Sequence, residues 1–337
     1  MKPTIYDIAK VAKVSKSTVS RVLNNNPNIS NKSKQRVLKA IAELNYQPSK
    51  IARGLSAGFD AILVVSRSTA TTKNNPFFSE ILHVISTYAE TKGYDVILQT
   101  SQNNLDEIEK TIMKTSSKIV KGIIMLSSPS DENYFEQINS LNIPTVVIGK
   151  VNGHFENIYS VDTDNFKDSY NLVQYMIDLG HQNIACLYSP QEYHVSIDRL
   201  KGYKQCLLDN QLALKDELMI NCGFTMGEAY NNSKKLLDSK PYPTAIFATD
   251  DLKLLGLYKI LDELEIKTPS ELLVGGYSNT EITSFLFPSL IQIENPTHKL
   301  GEFSTKLLFN IIKQQPVDER KIIVPTLQKI IGSKYKK

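Results

Sequence analysis

The stretch Val14–Asn25, "VSKSTVSRVLNN", decides how the first part of this chain is read. Val19, Val22 and Leu23 recur at the spacing of one helical face, and Ser15 stands before them with a hydroxyl able to cap the first free amides. The residues left for the opposite side are Lys16, Ser17, Ser20 and Arg21. Two cations and two hydroxyls on a short helix describe either a solvated face or a surface built to meet an anionic partner.

The flanking sequence weighs between the two. Ile5, Ile8, Ala9 and Ala12 follow the i, i+3, i+4, i+7 spacing of a helix that begins after Thr4, a suitable cap. Val37, Leu38, Ile41 and Leu44 predict a third helix from near Ser30, which stops at Tyr46 and Pro48. Three short helices with a brief turn between the first two describe a helix-turn-helix, whose second helix enters the major groove by its N-terminal part. In that geometry Lys16, Ser17, Ser20 and Arg21 reach base edges, and the planar fork of Arg21 matches guanine O6 and N7. Tyr6, Thr18, Asn25 and Ser30 are placed as phosphate anchors, which position without reading sequence. Lys13 falls in the turn, where glycine or asparagine would fit a left-handed backbone at a saving of roughly 1 kcal/mol.

Charge supports the DNA reading. Residues 1–60 hold eleven Lys and Arg against three acids, +8, so the net +4 of the 337-residue chain leaves −4 for the remainder. A basic head on a mildly acidic body is the footprint of a nucleic-acid-binding module joined to something else. The length predicts more than one domain. The longest apolar runs, such as Ala61–Val65, fall far short of the roughly 20 residues that span a bilayer, and the N-terminus lacks the apolar block of a signal peptide, so a cytoplasmic protein is expected. Cys186, Cys206 and Cys222 have no disulfide-framework or metal-site spacing and read as buried small hydrophobes; no metal or cofactor is expected.

The run from Thr4 to Gly58, "TIYDIAKVAKVSKSTVSRVLNNNPNISNKSKQRVLKAIAELNYQPSKIARGLSAG", resembles the DNA-binding head and hinge of the LacI/GalR family of bacterial transcription regulators. "SKIARGLSAG", Ser49–Gly58, is too short for a stable isolated helix and contains Gly54. The resemblance implies that it becomes a short helix on DNA, with Leu55 wedged into the minor groove beside Ala52 and Arg53.

After residue 60 the runs "AILVVS", "YDVILQT", "GIIMLSS", "PTVVIG", "NIACLYS", "TAIFATD" and "LLVGGYS" read as strands separated by amphipathic helices. Strand–helix alternation predicts parallel, doubly wound sheets, with enough units for two. Ligands of such sheets bind beyond the carboxyl ends of the strands, so two facing sheets predict a cleft. The looser resemblance here implies a periplasmic-binding-protein-like core of two α/β subdomains. The expected division is 1–47 for the helix-turn-helix, 48–60 for the hinge, 61–161 plus 293–321 for the first subdomain and 162–292 plus 322–337 for the second.

Candidate effector residues lie at strand ends. In "NPFF", Phe77 and Phe78 offer an aromatic face for a sugar ring, one of them in contact and the other in the core. "DRLKGY" matches the family's effector-binding arginine at Arg199; a surface ion pair with Asp198 is the alternative. "ATDDLKLLG" matches the ligand-contacting position at Asp250 and leaves Asp251 as a helix cap. "GGYSNTE" matches a family motif that more often carries acids where this chain has Ser278 and Asn279; neutral groups there fit a polyol, and Tyr277 is expected beside them in the effector site. His181 reads as a turn residue.

No G-x-G-x-x-G, G-x-x-x-x-G-K-[ST], H-E-x-x-H or G-x-S-x-G occurs, which argues against an enzyme. The expected function is a homodimeric repressor on a pseudo-palindromic operator, released by a small sugar. "NPFF" and "GYSNTE" make the body resemble maltose-operon repressors of low-GC Gram-positive bacteria within that family. Two alternatives remain: control by a protein corepressor, and a sugar-binding or sugar-converting protein tethered to DNA. The end "IGSKYKK" carries no heptads, so a dimer is expected rather than a coiled-coil tetramer.

Overall fold

The computed structural model describes residues 3–23, 28–46, 60–66, 76–116, 118–238, 242–278, 283–287 and 289–332. Asn25, the hinge residues Ala52, Arg53 and Leu55, and Asn279 lie outside the described residues. The chain divides into two compact units, 1–59 and 60–337.

The first unit holds α1 (Ile5–Ala12), α2 (Lys16–Leu23) and α3 (Asn31–Glu43). Its core is Ile8, Ala12, Val19, Val22, Val37 and Ala40, with Leu23, Ile41 and Leu44 packed at the margin. Leu38, expected inside, is 50% exposed. Leu38 is one residue on from Val37, so the helical turn of about 100° carries it off the buried stripe, and Ala40 takes the inward place. Lys13 closes α1 with φ 51°, the left-handed conformation that its turn demanded. Arg36 from α3 donates to the Lys13 carbonyl at 2.9 Å, tying the third helix to that turn.

The second unit is built on two six-stranded sheets. The first contains β1 (Ala61–Val65), β2 (Asp95–Gln99), β3 (Val120–Met125), β4 (Thr145–Ile148), β5 (Ile158–Asp162) and β11 (Lys321–Ile323), in the order β11-β5-β4-β3-β1-β2 and parallel throughout. The second contains β6 (Ile184–Tyr188), β7 (Met219–Asn221), β8 (Ala245–Ala248), β9 (Leu273–Ser278), β10 (Ser289–Glu294) and β12 (Leu327–Gly332), in the order β12-β10-β9-β8-β6-β7. Only the β10–β12 pair is antiparallel there. Strands such as β1, β4 and β8 are buried along their whole length, which is why they read as continuous apolar runs rather than alternating ones.

Helices cover the sheets. On the first lie α4 (Pro76–Thr91), α5 (Asn104–Thr115), α6 (Glu132–Asn139) and, returning late in the chain, α12 (Thr297–Ile312), whose Leu300, Leu307, Leu308 and Phe309 share one core with Ile62, Ile81 and Ile124. On the second lie α7 (Asn165–Asp178), α8 (His194–Asp209), α9 (Met226–Asp238) and α10 (Asp251–Glu263), with the short α11 (Thr283–Leu286) after β9. The chain passes between the subdomains three times. The strand pairing moves each expected boundary toward the C-terminus: Asp162 pairs with Ile323 in the first sheet, and Ile293 and Glu294 pair in the second. Register, rather than composition, sets these limits. No described helix is long and apolar enough to cross a membrane.

Candidate functional site

In the head, α2 presents Lys16, Ser17 and Arg21 to solvent, with Ser20 half-buried. The hydroxyl of Ser15 accepts from the Thr18 amide at 3.1 Å and so caps α2. The same oxygen lies 2.7 Å from Ser17 Oγ and 2.8 Å from Thr18 Oγ1, which gathers these hydroxyls at the helix start. Lys16 Nζ donates to Tyr6 Oη at 3.1 Å and sits 4.7 Å from the Tyr6 ring centroid, so the exposed Tyr6 holds the lysine at the mouth of α2. Ser30 is engaged as the cap of α3, accepting from the Ser33 amide. Arg21 is exposed in the last turn of α2.

In the body, the carboxyl ends of β3, β4 and β5 in one sheet and of β6, β8 and β10 in the other converge on a cleft enclosing about 810 Å³ of space, part of it open to solvent. Doubly wound sheets place their loops there, and two facing sheets enclose the space between. Gly149 makes room: with φ 135° it lies against Ser128, where an added Cβ would come within 2.9 Å of the serine Cβ.

Arg199 from α8 is the centre of the cleft. It is 7% exposed, and three of its bonds stay within the second subdomain and its crossings. Nε donates to Asn165 Oδ1 at 2.8 Å, Nη1 to the Thr249 carbonyl at 2.5 Å and Nη2 to Asn295 Oδ1 at 3.5 Å. Its guanidinium carbon lies 3.4 Å from the centroid of the Tyr277 ring. Tyr277 is therefore not on the cleft surface as expected. It is fully buried, with its hydroxyl on Ser169 at 2.9 Å and on the Asn165 carbonyl at 3.0 Å, and it supports the arginine from behind. Ser278 is corrected likewise: wholly buried, it donates to Asp251 Oδ1 at 3.0 Å instead of facing the cleft. A strand buried on both faces turns successive side chains into two cores, and β9 is such a strand.

Asp250 lines the cleft and is the cap of α10, accepting from the Leu252 and Lys253 amides at 3.0 and 3.3 Å. Asp250 therefore takes the cap expected of Asp251 while also lining the cleft, and Asp251 stands inside the first turn. Beneath Asp250 lies Lys253, 1% exposed, its Nζ 3.0 Å from Asp250 Oδ2 and 2.7 Å from the Gly223 carbonyl. Burial pushes the Asp250 carboxyl up, but Lys253, the Ser189 hydroxyl at 2.8 Å and Arg199 outweigh it and hold the group below its ordinary range. Phe77 and Phe78 both line the cleft, edge to face at 5.2 Å; Phe78 is buried in the core beneath.

Asp162, Asn165, Asn295, Ser189 and Lys253 were not picked out in sequence. All but Lys253 stand at or just past strand ends, so the rule that ligands bind beyond carboxyl ends points to "VDTDN" and "ENPT" once the strands are drawn. Asp162 is half-buried in the cleft wall and accepts from the Thr163 amide at 2.8 Å and Asn165 Nδ2 at 3.1 Å, both on Oδ1. Burial raises its carboxyl to about 7 against the pull of those donors and of Arg199.

The two subdomains also touch directly. Asp198, the neighbour of Arg199, does not pair with it; it takes Lys150, beyond β4, at 3.0 and 3.2 Å across the cleft. The His194 amide donates to the Ser128 carbonyl at 3.0 Å, and the Ser130 amide to the Glu192 carbonyl at 2.9 Å. Away from the cleft, His181 follows Gly180 in a turn, its amide on the Met176 carbonyl, and burial lowers its pKa. The three cysteines are buried free thiols, and burial pushes Cys206 and Cys222 up to about 12, well outside reactive range.

The family of bacterial regulatory proteins called lacI matches residues 4–49, and a periplasmic binding protein-like domain matches residues 173–333. A ribose operon repressor from Halalkalibacterium halodurans is 33% identical over 96% of this chain and 94% of its own. The HTH-type transcriptional regulator MalR of Clostridium butyricum is 32% identical over 91% of this chain and 92% of its own. A lac repressor structure bound to ONPG in the repressed state superimposes with a TM-score of 0.82 at 25% identity, covering 98% of each chain. A basic three-helix head, a two-sheet body and these relatives along the whole length have one reading: the chain belongs to the LacI family and is a DNA-binding transcriptional repressor, not an enzyme.

Proposed function

We propose that this repressor acts as a homodimer on a pseudo-palindromic operator and that a small sugar in the cleft controls its grip. The observation that carries the effector reading is Arg199, held on the Tyr277 ring and bonded to residues at two crossings, in a cleft that also offers aromatic edges from Phe77 and Phe78. A rigid guanidinium suits paired hydroxyls, and an aromatic face suits the apolar side of a sugar ring. In the head, Lys16, Ser17, Ser20 and Arg21 read bases, while Tyr6, Thr18, Asn25 and Ser30 hold phosphates; Leu55, with Ala52 and Arg53, forms the minor-groove wedge. Asp250 contributes to the effector site through its place in the cleft wall, and Asn279 is assigned to that site on the family motif alone.

The sugar must favour the DNA-incompetent state by a few kcal/mol for its binding to matter. A maltose-type effector, which the sequence suggests, and a pentose, which the name of the ribose operon repressor suggests, are the first two candidates. The test is fluorescence anisotropy of the full chain on operator DNA at fixed salt, with maltose, ribose and other sugars added in turn. Release of operator, but not of random DNA, by one sugar is the expected result. Tight operator binding that no sugar alters would transfer control to a protein corepressor.

A further inference from the structure

The cleft is rich in carboxylates and short of uncommitted cations, and its free donors are neutral hydroxyls such as Thr249 Oγ1, buried without a partner. Its charged lining comprises Asp162, Asp250 and Asp251 against Arg199, and among the described residues no lysine or histidine lines it. The buried Lys253 lies next to Asp250 and is committed to it and to the Gly223 carbonyl, while Lys150 is committed to Asp198. Three donors of Arg199 are already engaged on Asn165, Thr249 and Asn295.

Of the helix N-termini, the other common source of donors for an anion, those of α7 and α10 carry a carboxylate. Asp250 caps α10 and Asp164 caps α7, each with its own carboxylate. On α8, which has no side-chain cap, the His194 amide goes to the Ser128 carbonyl and those of Ser196 and Ile197 to the Tyr193 carbonyl. Against this, Asp162 has both of its hydrogen bonds on Oδ1 and stands in the wall of the cleft. An ionised carboxylate is an acceptor only, so Oδ2 is suited to a hydroxyl that donates and unsuited to a phosphate oxygen.

We propose that Asp162 is a specificity-determining residue of the effector cleft, which takes a hydroxyl donor and selects an uncharged polyol over its phosphate ester. This rests on the sugar-effector reading and sharpens it to a chemical class: the signal sensed is free sugar rather than the phosphorylated product of the first metabolic step. Asn165 and Thr163 fix the carboxylate in place, and Arg199, already largely spent, orients ring hydroxyls without offering the open fork that a phosphate dianion requires.

The experiment is calorimetric titration of the full-length protein at pH 8, where Asp162 is ionised, with ribose, glucose and maltose and with ribose 5-phosphate, glucose 6-phosphate and maltose 1-phosphate. One neutral sugar should bind, and its ester should bind at least about tenfold more weakly. In Asp162→Asn, which keeps the shape and an acceptor, the neutral sugar should weaken about tenfold and the gap between sugar and ester should narrow. Operator binding of the variant serves as the measure that it is folded. An ester that binds as tightly as its free sugar overturns the selection for neutral ligands while leaving the sugar reading intact. An unchanged sugar-to-ester ratio in Asp162→Asn overturns the role of this residue. If neither sugars nor esters bind while operator binding is intact, the sugar reading itself fails, and this inference with it.

Discussion

The head and the cleft handle polar groups in opposite ways. On α2 the side chains offered to a partner are exposed: Lys16 rests on Tyr6, and Arg21 faces solvent. In the cleft the cationic donors already have partners inside the protein, Arg199 most of all. Exposed groups can adapt to many phosphates and a few bases at small cost, whereas buried, cross-bonded groups fit one ligand geometry and reject others by leaving something unpaired. Recognition in the head is therefore broad and electrostatic with a sequence-specific core, and recognition in the cleft is narrow.

The difference in core size is the sharpest point of the comparison and the easiest to break. The head rests on six buried apolar residues, so Ile8→Ala should cost about 2–4 kcal/mol and unfold it, abolishing operator binding while effector binding by the body persists. Calorimetric scanning would show the body transition unmoved; a joint loss of both transitions would mean that the units do not fold separately. Arg199→Ala should then do the reverse, leaving Asn165, Asn295 and the Thr249 carbonyl without their partner and weakening effector binding at least about a hundredfold, with a loss of stability of about 3 kcal/mol. Operator binding without effector should survive it.

Arg21→Ala tests the head's narrow element. Operator affinity should fall by about 1–3 kcal/mol with relaxed choice at one base pair, and an equal loss on all sequences would make Arg21 a phosphate contact. The smallest expected effect is a dependence on pH. The Asp162 carboxyl, raised to about 7 when folded, binds its proton more tightly than the unfolded chain does. Folded stability attached to that proton is present below the unfolded value near 4 and is lost as pH rises through 7. Asp162→Asn should therefore match the wild type at pH 4 and exceed it at pH 8 by on the order of 1 kcal/mol, discounted because the group is partly exposed. Thermal midpoints across that range would show whether the cleft carries this cost.

Periodicity made most of this molecule readable. The apolar stripes of α1 and α2, the buried runs of β1, β4 and β8, and the concentration of charge before residue 60 each follow from rules that act within a few residues. Of the effector residues expected from the sequence, Arg199, Asp250, Phe77 and Phe78 line the cleft. Tyr277 and Ser278 looked like contacts because they follow a strand motif, yet a strand buried on both faces turns them into the two cores flanking its sheet. The cap was expected at Asp251 because both acids fit a helix start, and only the amide bonds place it at Asp250. Asn165 and Asn295, far apart in sequence, meet on one guanidinium through a topology that no local pattern encodes.

The three crossings between the subdomains give that meeting a mechanical meaning. Asp162, Thr163 and Asn165 stand at the first crossing and Asn295 at the second, so the ligand would be gripped by the axle rather than by the outer edges of the doors. Near an axle, a displacement of a fraction of an ångström swings distant surfaces through a long arc. Whatever leverage a small molecule in the cleft would have is set by where the chain crosses, before any particular ligand is chosen.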